Sequence, residues 1–511
     1  MKRPLIRLIP AVAMALQAFA PYASGQSDSF TPQVAQKLAQ GTFHEYFEFL
    51  SLPSDAVVPA DIQKNADFLE RAFRKRGFTT RQLDNKGKPM LFAEWPKKVP
   101  GAKTVLYYMH MDAQPAVPAE WSQKSPWQPV VKKRSADGKW EIVSTDLLFQ
   151  EKLDPDLRVF ARCSSDDKGP IMMFLAAFDG LREARLDPAI NVKLLIDSEE
   201  EKGSPSIPSV VTAHKELLRT DAIVILDGPR HASERPTLVF GNRGATRVTL
   251  VVYGPKQPLH SGHYGNYVPN PAIRLARLIA SMKGDDGRVT IPGYYDRVKL
   301  GDAEKKILAD TGDDEAAIRR RAGIRSAELV GGNLQEALQF PSLNVRGLAA
   351  ASVGDKASNI IPHQAIAEFD LRTTPESPPE FLFSSLKNHI EQQGYHLVKG
   401  EPTDADRAAY DKLATLSMGS AGRAVRTPLD SPLGKWVYES LVKTSGGNPV
   451  RIRMMGGSVP TDSLVEILGA PFVIVPLVNG DNNQHTFDEN MRVGHYVEGV
   501  RTILGMLRSS Y

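Results

Sequence analysis

The sequence predicts an α/β fold: a mixed, mostly parallel sheet flanked by helices, interrupted by an inserted α+β domain. Three observations predict it. Between about residues 90 and 226, short apolar runs alternate with amphipathic helical runs, the texture of a parallel sheet covered by helices. From about Asn242 the texture changes to longer alternating strands and a charged, helix-rich excursion, and from about Ala424 the first texture returns. At 511 residues the chain is also too long for one ordinary core. The boundaries that follow are a leader at 1–25, the first part of a larger domain at 26–241, an insert at 242–415 and the second part of the larger domain at 416–511.

Taken in order, Thr31-Pro32 opens a helix by the cap-then-proline rule, and a second helical run from about Ala60 to Arg76 stops at Gly77. Strands are expected at Met90 to Trp95, Lys103 to Met109, Asn191 to Ile196 and Ala222 to Leu226, with helices at 171 to 185 and 208 to 219 between them. In the insert, strands are expected at Ala245 to Tyr253, Ser342 to Ala350, Ala365 to Leu371 and Tyr395 to Val398, and helices at Pro271 to Met282 and Pro379 to Gln392. The excursion from about Ala303 to Ala337 carries Arg319-Arg320-Arg321, which acidic neighbours mark as a solvated helix face. A helix over Leu433 to Lys443, a buried strand over Phe472 to Val475 and a final helix near 491 to 508 complete the chain.

Lys2, Arg3 and Arg7 form a basic start, Leu8 to Phe19 an apolar run, and Ala23-Ser24-Gly25 a small-residue cleavage site, which together read as a cleavable export signal. A membrane anchor is the alternative, but the run falls short of the roughly 20 residues needed to span, and Pro10 and Gln17 interrupt it. The mature chain is therefore expected in the periplasm or outside the cell, with no membrane span. Losing three cations and no acid takes the formal charge from +4 to +1, which offers no electrostatic case for a nucleic acid or an anionic membrane as partner. Cys163 is the only cysteine, so any metal site must use histidines and carboxylates.

The chemistry-bearing residues follow predicted strands. Ser164-Ser165-Asp166-Asp167 lies between an apolar run ending near Phe160-Ala161 and a helical run; by itself it reads first as a helix cap made by Ser164, Ser165 or Asp166, and only its company with the residues below turns the reading toward a metal-bridging carboxylate. His110-Met111-Asp112 ends a strand, where residues two apart share a face, so Asp112 can hydrogen-bond the far nitrogen of His110. Glu199-Glu200-Glu201 follows a buried strand; like carboxylates this close repel unless protons or cations intervene, although a solvated loop is the bland alternative. Asp227 follows Ile223-Val224-Ile225-Leu226, and His485 lies in a polar loop beyond the last buried strand. Five such ligands suit two borderline divalent cations with one carboxylate between them, an arrangement that serves hydrolysis with a free glutamate as base. Other hydrolytic machinery is missing from the sequence: there is no Gly-x-Ser-x-Gly, and His44-Glu45 is followed at position 48 by Glu48, not histidine.

In order and spacing, His110-Met111-Asp112, Ser165-Asp166-Asp167-Lys168-Gly169, Glu200-Glu201-Lys202-Gly203-Ser204, Asp227, Leu259-His260-Ser261-Gly262, Asn359-Ile360-Ile361-Pro362, Gly456-Gly457-Ser458 and His485 resemble the dinuclear zinc metallopeptidases of family M20, which include carnosinases, glutamate carboxypeptidase and succinyl-diaminopimelate desuccinylase. The resemblance implies that Asp166 bridges two metals, that His110 and Asp227 complete one site, and that Glu201 and His485 complete the other. It makes Glu200 the general base and Asp112 the residue that orients His110, the distance to Gly203-Ser204 choosing this register over Glu199 and Glu200. It makes the insert a lid and dimerisation domain, with His260 steadying the oxyanion from the partner subunit of a homodimer and Arg372 gripping a substrate carboxylate. Asn359, Gly457 and Ser458 are expected at the substrate. The implied cofactors are two divalent ions per chain, Zn2+ first and Mn2+ or Co2+ after it.

The implied activity is hydrolysis of a peptide bond in small peptides, with N-acyl amino acids as the alternative substrate class and a non-catalytic binding protein as a remoter reading. Aspartate at 227 fits the dipeptidases and aminopeptidases of the resembling group rather than its carboxypeptidases and deacylases. Two departures stand out: Cys163 occupies a common glycine position, and His-Thr-Phe-Asp-Glu after Gln484 matches only loosely the usual His-Ser-x-Asn-Glu.

Overall fold

The computed structural model describes residues 31–457 and 462–511. The expected leader at 1–25 and Ser458 lie outside the described residues. The larger unit is built on an eight-stranded mixed sheet whose spatial order is Thr79–Leu83, Met90–Glu94, Asn191–Asp197, Thr104–His110, Ala222–Ile225, Phe472–Ile474, Thr237–Val239 and Val450–Ile452. Its centre, from Asn191–Asp197 to Phe472–Ile474, is parallel. Antiparallel pairing appears at the Met90–Glu94 edge and where Phe472–Ile474 meets Thr237–Val239.

Alternation along one strand accounts for both layers. In Thr104–His110, Val105, Tyr107 and Met109 enter a core with the helices Pro32–Leu50, Lys168–Glu183 and Val493–Arg508, while Leu106 and Tyr108 enter the opposite core with Ile207, Val211 and Leu464. This is the period-two rule applied to a strand buried on both faces. The first helix begins as its sequence requires, with Thr31 Oγ1 accepting from Val34 N at 3.3 Å and proline at the first helical position. The helix expected over 208 to 219 is broken: Ile207–Ala213 and Lys215–Leu218 are separated by His214, whose φ of −116° and ψ of 24° leave the helical region. Among the described residues, no helix is long and apolar enough to cross a membrane.

A four-stranded sheet that the sequence reading lacks runs Asn490–Arg492, Arg158–Phe160, Val130–Arg134, Trp140–Val143. It holds side by side the chain just before the Ser164–Asp167 loop and the chain just after His485, since Phe160 pairs with Asn490.

The second unit is a five-stranded sheet, Ser342–Ala349, Gln364–Thr373, Gly244–Tyr253, Leu413–Ala421 and His396–Leu397, antiparallel but for the last pair. Helices Pro271–Ala280 and Pro379–Gln392 cover one face, burying Val248, Leu250, Phe369 and Leu371 against Leu275, Leu278, Leu382 and Leu386. The units join where Gly241–Asn242 pairs with Val425–Arg426 and the chains cross closely. A Cβ on Gly244 would lie 2.2 Å from the carbonyl oxygen of Gly422, so only glycine fits there.

The excursion is three short helices, Asp302–Ala309, Glu315–Ala322 and Leu334–Ala337. Rather than standing free it is strapped to the larger unit. Buried Arg453 reaches Glu304 at 3.0 Å and Gln339 at 2.8 Å, His231 Nε2 meets Asp313 Oδ1 at 3.1 Å, and Arg235 donates to the Thr311 carbonyl at 2.6 Å.

Candidate metal centre and active site

His110, the last residue of a central strand, and Asp227, two residues beyond the neighbouring strand, are brought to one end of the sheet with Asp166, where open α/β folds gather their ligands. Asp166 stands in the middle. Its Oδ1 is 2.9 Å from His110 Nε2, and its Oδ2 is 3.0 Å from His485 Nε2, which in turn lies 3.1 Å from Glu201 Oε2. Two groups of three therefore share Asp166: His110, Asp166 and Asp227, all buried, and Asp166, Glu201 and His485, with ligand atoms in each group within 4.8 Å of one another.

The electrostatics mark this as a place built for positive charge. Burial first, and then Asp166, push the Asp227 carboxyl up to about 7. Burial likewise holds Glu200 well above the usual carboxylate range, with Asp227, Asp166 and Glu201 adding to it against the pull of His110. The hydrogen bonds of Asp166 and Glu201 push the His485 imidazole up to about 10. Carboxylates crowded in this way, with imidazole nitrogens between them, fit a pair of borderline divalent cations.

Each ligand has its own support. Asp112 carries the glutamate run: its two carboxylate oxygens accept from Glu200 N at 3.0 Å and Glu201 N at 3.1 Å. His110 Nδ1 meets the Asp112 carbonyl at 3.1 Å and its carboxylate only at 3.5 Å. Asp112 thus faces the imidazole with both its backbone carbonyl and its carboxylate. In the triple glutamate, Glu199 turns away, paired with Lys88 and accepting from Asn85 at 2.9 Å and Ser206 at 2.6 Å. Gln114 Nε2 donates to Glu201 Oε2 at 2.7 Å.

Two residues lie in stretches named from the sequence but were given no role there. Asp167, joined to Asp166 by a cis peptide, accepts from the backbone N–H of His110 at 3.2 Å. Glu489 is buried, and its carboxylate accepts from the N–H groups of Cys163 at 2.9 Å, Ser165 at 3.0 Å and Asp166 at 3.0 Å, from Ser165 Oγ at 2.9 Å, and from Arg162 Nη1 at 3.1 Å. It shapes the loop that aims Asp166. Its signal in the sequence was its place as the final glutamate of His-Thr-Phe-Asp-Glu, just before the short strand Asn490–Arg492. Cys163, at φ 66°, has the left-handed backbone a glycine would favour. Its sulfur lies 3.4 Å from Ser54 Oγ, belongs to neither group of ligands, and burial pushes the thiol up to about 12.

The remaining candidates lie elsewhere. His260 is exposed on the two-residue strand Leu259–His260, its Nδ1 accepting from Gly262 N at 3.0 Å, and its strand pairs with Ile360–Ile361, next to Asn359. Arg372 is half-buried on the open face of the second sheet, 3.4 Å from Asp370. Gly457 is exposed beside the junction of the units. Among the described residues, no hydrogen bond or ion pair joins His260, Asn359 or Arg372 to the carboxylate cluster.

Residues 106–509 match Peptidase family M20/M25/M40. The chain is 26% identical over 471 residues, 88% of its length and 91% of the relative's, to a Cys-Gly metallodipeptidase of Schizosaccharomyces pombe. It is 25% identical over 422 residues, 81% of its length and 78% of the relative's, to the Beta-Ala-His dipeptidase of Mus musculus. Among solved structures it is similar to an M20 family metallo-carboxypeptidase from Sulfolobus solfataricus, with a TM-score of 0.69 and 27% identity over 91% of this chain and 98% of the other. Human carnosine dipeptidase 1 shares the fold, with a TM-score of 0.61 at 20% identity over 93% and 99% of the two chains. The protein is an enzyme of the metallopeptidase class and belongs to peptidase family M20/M25/M40.

Proposed function

We propose that this enzyme is a dinuclear metal-dependent dipeptidase, with Zn2+ as its first-choice ion and Mn2+ or Co2+ as substitutes. The observation that carries the reading is the pair of ligand groups sharing Asp166, with Glu200 beside them and held by its backbone to Asp112. His110, Asp166 and Asp227 would hold one ion, and Asp166, Glu201 and His485 the other. When bound, such ions supply Lewis acidity toward a scissile carbonyl and make a nearby water more acidic. Glu200 accepts the proton of the attacking water as its oxygen bonds the carbonyl carbon, and returns that proton to the amine as the carbon–nitrogen bond breaks. The protein's own fixed groups then do the positioning: Asp112 holds Glu200 and Glu201 by their backbones, and Glu489 holds the loop bearing Asp166.

His260, Asn359, Gly457 and Ser458 would contact the substrate and its developing oxyanion, and Arg372 its terminal carboxylate. Two further parts of the reading are export to the periplasm or beyond, supported by the leader pattern, and a homodimer formed through the second unit, supported by the exposure of His260 away from the carboxylate cluster. Amino-terminal sequencing of the exported protein should begin near residue 26; an intact leader in the soluble fraction would count against export.

A hydrolysis screen tests the activity. Unblocked dipeptides, N-acyl amino acids and end-blocked peptides are offered with zinc, manganese or cobalt. Unblocked dipeptides are expected to be cleaved fastest, with C-terminal amidation costing about tenfold to a thousandfold in kcat/KM. N-acyl amino acids outrunning every dipeptide would replace this reading with an amidase.

A further inference from the structure

Besides Arg372, the open face of the second sheet carries two arginines, Arg247 and Arg346, for which the proposed chemistry has no use. On that face Arg247 stands opposite Asp370 in the ladder, and Arg372 stands between Ala245 and Ser342. Arg346 sits at the irregularity between Val345 and Gly347 on the flanking strand. Together with Asn344 and Ser420 they line a cleft of about 380 Å3. Its polar lining holds three guanidinium groups and one carboxylate, Asp370, which Arg372 Nε meets at 3.4 Å. Among the described residues, Arg247 and Arg346 make no ion pair and no side-chain hydrogen bond. The next carboxylate along the face, Glu368, accepts from Thr249 Oγ1 at 3.0 Å and lies outside the cleft.

Position gives this excess charge a meaning. The pair Ala245–Arg372 adjoins Gly244–Thr373, the last pair before the crossing at Gly241–Asn242. Asn242 bridges to Met455, immediately before Gly456-Gly457. The end of the cleft marked by Ala245 and Arg372 therefore adjoins the junction of the two units. Arg247 and Arg372 are diagonal neighbours on one face, a relation that sets backbones about 7–8 Å apart and lets long side chains converge. Two guanidinium groups beyond the one already paired, in a partly enclosed cleft, favour a ligand that brings two negative charges.

Resting on the dipeptidase reading, we infer that the enzyme selects dipeptides with an acidic C-terminal residue, Arg372 engaging the terminal carboxylate while Arg247 and Arg346 engage the side-chain carboxylate. Ala-Glu and Ala-Gln differ by one charge at nearly constant shape, so the ratio of their kcat/KM values reads this contact alone. The metal-loaded wild type should prefer Ala-Glu by about tenfold at low salt, as expected for one charge-assisted pair, and the preference should shrink as sodium chloride screens the cleft.

Arg247→Ala and Arg346→Ala should each lower the Ala-Glu to Ala-Gln ratio about fivefold, chiefly through KM, with the Lys variants recovering part of it. Arg372→Ala should depress both substrates together. A wild type indifferent to the charge, or Arg247 and Arg346 variants that lose both substrates in equal measure, would overturn the inference and leave the dipeptidase reading standing. A wild type inert toward every dipeptide would overturn both.

Discussion

Glu489 does most of its work on atoms that carry no side-chain identity, three backbone N–H groups in the loop before and at Asp166. A glutamine there keeps the size but offers one oxygen where two were used. Glu489→Gln should therefore lower the unfolding free energy by about 2–4 kcal/mol, the scale of two or three charge-assisted hydrogen bonds in part replaced, and should reduce bound metal; denaturant titration and elemental analysis check the two effects. Glu200→Gln is the complementary case, because its backbone contact to Asp112 survives and only the proton acceptor is lost. Activity should fall by roughly a hundredfold or more with both metals retained, and a dead, metal-replete Glu201→Gln beside an active Glu200→Gln would reverse the two roles. Cys163 gives a pH-linked expectation: with its thiol pushed up to about 12 and its side chain buried, only about one molecule in ten thousand is thiolate at pH 8, so iodoacetamide should label it only after unfolding, as mass spectrometry can show. His110 and Asp227 stood out as polar residues ending or closely following apolar strands, whereas Asp166 and His485, farther into their loops, stood out through the order and spacing of the motifs around them. The clamp made by Glu489 was not legible, although the residue ends the His-Thr-Phe-Asp-Glu stretch, because backbone partners more than three hundred positions away leave no pattern in the sequence.

Three helices are pinned together by one buried cation. Arg76, just past the helix Pro59–Lys75, donates to Glu45 on Pro32–Leu50 at 2.7 Å and to Asp179 on Lys168–Glu183 at 2.8 Å. Burial alone would raise the Glu45 carboxyl, but the hydrogen bond and charge of Arg76 outweigh it and leave the carboxyl below its ordinary value. A depressed carboxylate contributes stability that is complete above the unfolded pKa, near 4.3, and is lost as pH falls through the lower folded value. The stability gap between wild type and Glu45→Gln should accordingly be constant from pH 7 to about 5 and close on further acidification. Arg76→Ala, which strands two carboxylates, should cost about 2–4 kcal/mol at neutral pH by the same denaturation measurement. At this scale the parallel strands and long helices were legible, their apolar runs being buried on both faces. The small sheet was hidden, since Val130–Arg134 and Trp140–Val143 are short, mix apolar with charged residues and show no clean alternation. The strapping of the excursion was hidden as well, because Glu304 and Asp313 read as ordinary surface acids until Arg453 and His231 are seen beneath them.

For the molecule as a whole, the distance between His260 and the carboxylate cluster in the hydrogen-bond network bears on assembly. If a neighbour's His260 completes each site, mixing inactive His260→Ala with inactive Glu200→Gln should restore part of the activity through hybrid dimers. No recovery after subunit exchange, verified by mass spectrometry, would mean that each chain works alone. The overall α/β plan with an interrupting α+β unit was legible from texture alone, whereas the order of strands was not, because Phe472–Ile474 and Val450–Ile452 come to the first sheet from beyond the second unit. That order has a consequence for how the protein is made. On the ribosome, the strands of residues 79–225 emerge early and wait as a half-sheet with an open edge until Phe472–Ile474 arrives to pair with Ala222–Ile225. The same late segment delivers His485 and Glu489, so a nascent chain interrupted before Phe472 is not a weakened enzyme. It has an unfinished sheet, a loop around Asp166 without its clamp, and nothing yet to distinguish it from a misfolding intermediate.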